Sequence, residues 1–194
     1  MKILIVSGFL GAGKTTFIKR LARNVDQRVA ILANEYGAAG IDGARLGQNR
    51  QGTQKNVWEM TEQCICCIGK KDFAASVLTI ANVVDPEYLI VEPTGVGSLA
   101  RIIENLRQIE YERIQLLSPV TIVDVYSYRR YMAEYPELYQ DQIRSADTII
   151  VSKTEACQAE EKQRIQKFLQ EINPQAKIIT DYASTMTRED LSLI

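Results

Sequence analysis

The sequence predicts an α/β domain, a mostly parallel sheet with helices on both faces. Three observations predict it. Short apolar runs rich in β-branched residues recur along the chain. Segments with helical spacing of apolar residues lie between them. The first apolar run leads directly into a glycine-rich turn and a helix. A length of 194 residues suits one domain over 1–194 and is too short for two full ones. Hydrophobic residues at 46% and charged residues at 24% are those of an ordinary globular protein.

The first strand is read at Ile3-Leu4-Ile5-Val6. The turn after it, Gly8-Phe9-Leu10-Gly11-Ala12-Gly13-Lys14-Thr15-Thr16, fits G-x-x-x-x-G-K-[ST], the phosphate-binding P-loop. Phe17, Ile18 and Leu21 then follow at helical spacing. Strand, loop and helix together predict the P-loop NTPase architecture. A helix N-terminus presents N–H groups and a positive dipole end to an anion. Gly8, Gly11 and Gly13 let the backbone, with Ala12 and Thr16, wrap the phosphates. Lys14, read as lying on an exposed loop, reaches the β- and γ-phosphates, and the Thr15 hydroxyl is placed for Mg²⁺.

Further strands are expected at Val29–Ala33, Tyr88–Val91, Val120–Val123, Thr148–Val151 and, more weakly, Lys177–Ile179. Their apolar runs lack polar alternation, as in strands covered on both faces. Helices are expected over Asp72–Val84, Ser98–Gln108 and Ala159–Ile172. The last carries Ile165, Phe168, Leu169 and Ile172 on one face and stops at Asn173-Pro174. The stretch between Asn34 and Lys71 breaks this rhythm. It is rich in Gly, Gln and Asn, shows no long apolar period, and so reads as a functional or mobile segment.

Composition excludes several classes. A net charge of −1 with no basic block leaves no footprint for nucleic acid. No apolar stretch is long enough to span a bilayer. Met1-Lys2 and the run after it resemble a signal peptide, but the P-loop lies inside that stretch, so a cytoplasmic protein is expected. The chain has no histidine, so a tight transition-metal site must rest on Cys, Asp or Glu. Three of the four cysteines crowd into Cys64-Ile65-Cys66-Cys67. In a reducing compartment that grouping suits metal binding or redox chemistry better than disulfides.

A P-loop needs a carboxylate to complete its Mg²⁺ site. Glu92 ends the third strand in Glu92-Pro93-Thr94-Gly95, and it serves if that strand lies beside the first. Gly95 would then bring its N–H to the γ-phosphate. Asp42, after the second strand, is a further Mg²⁺ candidate, and Glu35 could orient water. Ser152-Lys153-Thr154-Glu155 ends the fifth strand, where many guanine-binding proteins carry Asn-Lys-x-Asp. There the Lys153 stem would cover the base, and Glu155 would accept from the guanine N1–H and amine, a donor pair adenine lacks. Cys64, Cys66 and Cys67 offer three thiolates, soft ligands for Zn²⁺ or a softer Co²⁺ or Ni²⁺ site. Three sulfurs leave a tetrahedral ion one ligand short, as suits an ion to be handed over or completed by a client or a second protomer. Cys157 reads as packing.

Taken in order, these motifs resemble the CobW-like metallochaperone GTPases, the P-loop group that also contains the urease and hydrogenase maturation GTPases. Gly8 to Thr16 is similar to the family's G-x-x-G-x-G-K-T-T. Asn34-Glu35-Tyr36-Gly37 with Ile41-Asp42 is similar to its first switch, and Cys64-Ile65-Cys66-Cys67 to its C-x-C-C. Glu92-Pro93-Thr94-Gly95 resembles its E-x-x-G and Ser152 to Glu155 its base-recognition loop, with Asp124 and Ala146-Asp147 also in place. The sequence departs from the pattern at Ala38, at Glu62-Gln63 and at Val96-Gly97-Ser98. It also stops at Ile194, where family members commonly carry a further C-terminal domain, often with histidines.

The resemblance implies a GTP-binding, GTP-hydrolysing metallochaperone or metallocofactor-maturation factor. Lys14, Thr15 and Glu92 would be its catalytic residues, and Thr15, Asp42 and Glu92 its Mg²⁺ ligands. Its partners would be GTP, a client metalloprotein or cofactor-synthesis enzyme, and a homodimer if the ion bridges two chains. Two other readings stand beside it. One is a small-molecule kinase with a structural zinc knuckle and Arg101, Arg107 or Arg113 on a lid. The other is a non-enzymatic metal or redox sensor that holds nucleotide as a structural ligand.

Overall fold

The computed structural model describes residues 1–24, 27–33, 57–61 and 70–181. The chain runs β1 (Lys2–Gly8), α1 (Lys14–Asn24), β2 (Val29–Ala33), β3 (Val57–Thr61), α2 (Lys70–Val83), β4 (Tyr88–Glu92) and α3 (Leu99–Arg107). It continues through β5 (Gln115–Leu116), β6 (Val120–Asp124), α4 (Tyr128–Glu134), α5 (Pro136–Arg144), β7 (Thr148–Ser152), α6 (Ala159–Ile172) and β8 (Lys177–Ile179). The described strands form one sheet in the order β3-β2-β4-β1-β6-β7-β8, and β5 also pairs with β1. Every strand pair is parallel.

Two of these strands were not expected. β3 lies in the stretch read as irregular, and it pairs with β2 from Val29↔Val57 to Ala33↔Thr61. Five residues are too few to show a period against glutamine- and glycine-rich surroundings. β5 is only two residues long, beside Lys2 and Ile3 of β1, and β6 takes over the same edge at Val6 to Gly8. Between them Pro119 has no N–H to give a ladder. Its carbonyl accepts instead from the Asp147 and Thr148 N–H groups at 3.0 and 3.2 Å.

The alternation of side chains along β1 divides the core in two. Ile3 and Ile5 join a cluster with Phe73, Val77 and Ile80 of α2, Leu99 and Leu106 of α3, and Ile165 and Leu169 of α6. Leu4 and Val6 join the opposite cluster with Phe17, Ile18 and Leu21 of α1. Helices therefore cover both faces. Burying one such side chain stabilises by about 1.5–3 kcal/mol. An exposed ion pair such as Arg28–Asp85, at 3.5 Å, contributes about 0–1 kcal/mol. The apolar faces, not the surface charges, hold the sheet together.

Helices α4 and α5 were also missed, and they matter to the site. They join at Tyr135-Pro136, with Pro136 at the start of α5, where a missing N–H is harmless. The far end of α5 is fixed by Asn173, the C-cap of α6. Its buried side-chain amide donates to the carbonyls of Ile143 at 2.9 Å, Arg144 at 3.2 Å and Ala146 at 2.9 Å. Its oxygen accepts from the N–H groups of Gln175 and Ala176 at 3.3 and 3.2 Å. One side chain thus satisfies the carbonyls at the end of one helix and the turn after another. Replacing Asn173 by Ala leaves these groups unpaired. We expect Asn173→Ala to lower unfolding stability by roughly 2–3 kcal/mol, read as a reduced urea midpoint at unchanged slope.

Candidate nucleotide-binding site

The sheet order reverses at β1, with β4 on one edge and β6 on the other. Ligands of open parallel sheets bind at such a switch point, beyond the carboxyl ends of the strands. The P-loop, Glu92, Asp124 and Ser152 all lie at those ends.

The loop over residues 9–13 is tight. The Ala12 N–H bonds to the Phe9 carbonyl at 3.1 Å, and α1 opens with Phe17 donating to Gly13 at 3.0 Å. The N–H groups ahead of that bond have no carbonyl within the helix to reach, and they line the loop. Gly8 has φ +145°. A Cβ there would fall 2.5 Å from the Ile122 carbonyl oxygen, so only glycine lets β1 leave the sheet at this point. Lys14 does not lie on an exposed loop as expected. It opens α1, is 8% exposed, and its ammonium donates to the Phe9 carbonyl at 3.2 Å. The loop wraps over its own lysine, and burial and that bond hold the ammonium within the loop. Thr16 is exposed one residue past Thr15.

Glu92 meets the P-loop as anticipated, because β4 pairs directly with β1. The Thr15 hydroxyl donates to the buried Glu92 carboxylate at 3.1 Å from Oε1 and 3.4 Å from Oε2. A hydroxyl and a carboxylate at a helix N-terminus are hard oxygen donors. That set fits Mg²⁺, which prefers oxygen ligands and retains several waters. Three residues on, Gly95 packs on the P-loop itself. A Cβ at Gly95 would sit 2.7 Å from the Leu10 amide nitrogen.

Ser152, at the end of β7, is fully buried and donates its hydroxyl to the Ala12 carbonyl at 2.6 Å. The base-loop candidate is therefore tied to the P-loop. Lys153 has φ +61°, an unusual conformation for a residue with a side chain. Its ammonium reaches the buried Asp124 carboxylate at 2.7 Å. Burial pushes the Asp124 carboxyl up, but hydrogen bonds from Lys153, the Tyr126 N–H and Ser127 outweigh it and hold the group below its usual range. The Thr154 hydroxyl donates to the Thr180 carbonyl at 2.7 Å, and Glu155 is exposed. Glu35, Asp42, Cys64, Cys66 and Cys67 lie outside the described residues. Cys157, as read, packs against the core.

Residues the sequence did not point to support the loop from outside. The Tyr131 hydroxyl donates to the Leu10 carbonyl at 2.9 Å. Phe9 is buried among Tyr131, Tyr135 and Tyr139, with ring centres 4.7, 5.9 and 5.0 Å away. Burial also pushes the Tyr139 phenol up, and it stays neutral. Only the clustering of tyrosines over 126–139 hinted at this wall.

Comparison with known proteins agrees with this geometry. Residues 2–180 match the family described as CobW/HypB/UreG, nucleotide-binding domain. The chain belongs to that family. It is 31% identical over 170 residues to the zinc chaperone YeiR of Escherichia coli, an alignment covering 86% of this chain and 51% of YeiR. The chain spans about half the length of the curated relatives it matches. Among solved structures, the Zn(II)-bound YjiA GTPase from E. coli superposes with a TM-score of 0.70 at 22% identity, over 100% of this chain and 60% of that one. The hydrogenase maturation factor HypB from Archaeoglobus fulgidus gives 0.61 at 17% identity, over 98% of this chain and 86% of its own. Both show the same fold. No described helix is long and apolar enough to cross a membrane.

The Asp124–Lys153 pair gives a pH signature. Asp124 is held below its ordinary value of 3.8, so its contribution is complete above that pH and fades as acid protonates the folded carboxylate. Lys153 is half exposed, and screening limits the pair to about 1 kcal/mol. Asp124→Asn should therefore be less stable than the parent by about that amount at neutral pH. The gap should close below about pH 4 in urea melts run across pH.

Proposed function

We propose that this chain binds GTP with Mg²⁺, hydrolyses it slowly, and couples that cycle to a zinc ion held for delivery to a client metalloprotein. The observation that carries the nucleotide half is the Thr15–Glu92 contact at 3.1 Å, a Mg²⁺-type donor pair at the head of a P-loop. The metal half rests on Cys64, Cys66 and Cys67, whose thiolates suit zinc, and on the name of YeiR as a zinc chaperone.

In this reading the first-turn N–H groups of α1 and the loop amides hold the phosphates. Lys14 turns from the Phe9 carbonyl to the β- and γ-oxygens and neutralises charge that grows during transfer. Thr15 and Glu92, with Asp42, would hold Mg²⁺, which would neutralise phosphate charge. Asp124 pins Lys153, whose stem covers the base, and Glu155 accepts from guanine. Slow hydrolysis is expected because the chain has no histidine to act as general base. The metal ion is cargo. The cysteine segment lies in sequence between the two nucleotide-sensing segments, at Asn34 to Asp42 and at Glu92 to Gly95. Loss of the γ-phosphate would relax it and weaken its hold on the ion.

Two experiments test this. Lys14→Ala should bring GTP turnover to background while the circular dichroism spectrum stays that of the parent. Wild-type turnover in the folded variant would remove the P-loop from the mechanism. Zinc titration should give one ion per chain, or one per two chains if it bridges a dimer. A non-hydrolysable GTP analogue should tighten zinc binding about fivefold or more relative to GDP, and Cys66→Ser should abolish most of the affinity while sparing GTP binding. Equal zinc affinity in the two nucleotide states would leave a nucleotide-binding zinc protein without a delivery cycle.

A further inference from the structure

Two consecutive side chains of α5 grip the segment that leaves β4. Asp141 Oδ2 accepts from the Leu99 N–H at 2.7 Å and the Ala100 N–H at 3.4 Å, capping α3 alongside Ser98. Gln142 Nε2 donates to the carbonyls of Gly95 and Gly97, both at 3.1 Å. Gln142 is itself immobilised. It is 1% exposed, and its backbone carbonyl accepts from the Thr121 hydroxyl of β6 at 2.9 Å.

The chemistry of this residue is out of keeping with mere packing. Its Oε1 is buried without a hydrogen-bond partner among the described residues. An unpaired buried amide oxygen is unfavourable, and methionine would fill the same space without it. What the glutamine supplies is its NH₂, spent on two carbonyls of one loop. That loop touches the P-loop from its other side. Gly95 is pressed so closely on the Leu10 nitrogen and the Phe9 carbonyl carbon that a Cβ would come within 2.7 and 3.1 Å of them. Gly95 is therefore clamped between Gln142 at its carbonyl and the phosphate loop at its Cα.

We infer that Gln142 is a positioning residue for nucleotide hydrolysis, acting through Gly95: it sets the Gly95 peptide against the P-loop, where the terminal phosphate would lie. This rests on the GTPase reading above. Gln142 touches no reacting atom. Its effect belongs to the step in which the terminal phosphoryl group passes to water and the bond pair stays on the leaving oxygen, so it concerns kcat and not the binding of GDP, which lacks that group.

The test replaces Gln142 by Met, which keeps the stem and removes the donors. We expect kcat for GTP to fall about tenfold, with KM and the Kd for GDP within about twofold of the parent, and Tm to fall modestly because two carbonyls lose their donor. A folded Gln142→Met with parental kcat overturns the inference. So does one in which GDP affinity falls as much as kcat, which marks a structural role alone. Hydrogen exchange provides a readout independent of turnover. The Gly97 N–H, bonded to the Thr94 carbonyl at 3.1 Å, should exchange about tenfold faster in Gln142→Met while core strand amides are unchanged. If the parent protein hydrolyses no GTP, the enzymatic reading fails by that result, and unchanged Gly97 exchange then separately refutes the clamp. Should Gln142→Met not fold, Gln142→Leu is measured in the same way, since it too fills the site with an apolar side chain and removes the donors.

Discussion

Parallel pairing of β1 with β4 on one edge and β6 on the other is the constraint on which the rest of this molecule depends. A buried parallel sheet must be apolar on both faces, and its polar chemistry is confined to the strand ends. Since every pair runs the same way, the carboxyl ends of β1, β4, β6 and β7 converge. Glu92, Asp124 and Ser152, far apart in sequence, lie along one edge with Thr15 at the head of α1 only because the ladder aligns their strands. The 3.1 Å contact between Thr15 and Glu92 spans a sequence separation of 77 residues. A slip of one residue in the β1–β4 register would turn Glu92 to the opposite face and dissolve it.

The second layer of support comes from the α4–α5 hairpin. It presents aromatic rings to Phe9, a hydroxyl to Leu10 and an amide to Gly95 and Gly97. The hydrogen bonds among these contacts reach backbone carbonyls of the phosphate loop and of the segment after β4, not the groups expected to touch a ligand. Backbone that must meet a ligand with its own N–H groups needs its carbonyls secured elsewhere. This hairpin performs that service, and Asn173 holds the end of the hairpin in turn.

Much of this was legible in the sequence, and the gaps have physical causes. The strands buried on both faces wrote themselves as apolar runs. Helix α6 came out with its observed limits because an apolar stripe and Asn173-Pro174 both mark it. Glu92 and Ser152 stand at the strand ends where the apolar runs placed them. Helices α4 and α5 were not legible, because Tyr128, Tyr139 and Gln142 make most of their buried faces, with Ile143 the one aliphatic among them, and hydropathy reads tyrosine and glutamine as surface. Tyr139 and Gln142 are buried only by their neighbours. Lys14 was placed on the outside because lysines usually are. Here the loop folds back over the head of its own helix and supplies a carbonyl for the ammonium. The roles of Tyr131 and Gln142 belong to tertiary placement and leave no local trace.

The bond from the Ser152 hydroxyl to the Ala12 carbonyl joins the strand expected to face the base to the loop expected to face the phosphates. Two recognition surfaces that many binding sites bring together only around a ligand are here a single stiff piece. Much of the ordering entropy that capture would otherwise require is already spent during folding. In the reading proposed above, the base and the phosphates of a nucleotide would meet two surfaces already joined by a direct bond. Affinity differences arising at this joined part would fall mainly on residence time, and less on the rate of entry.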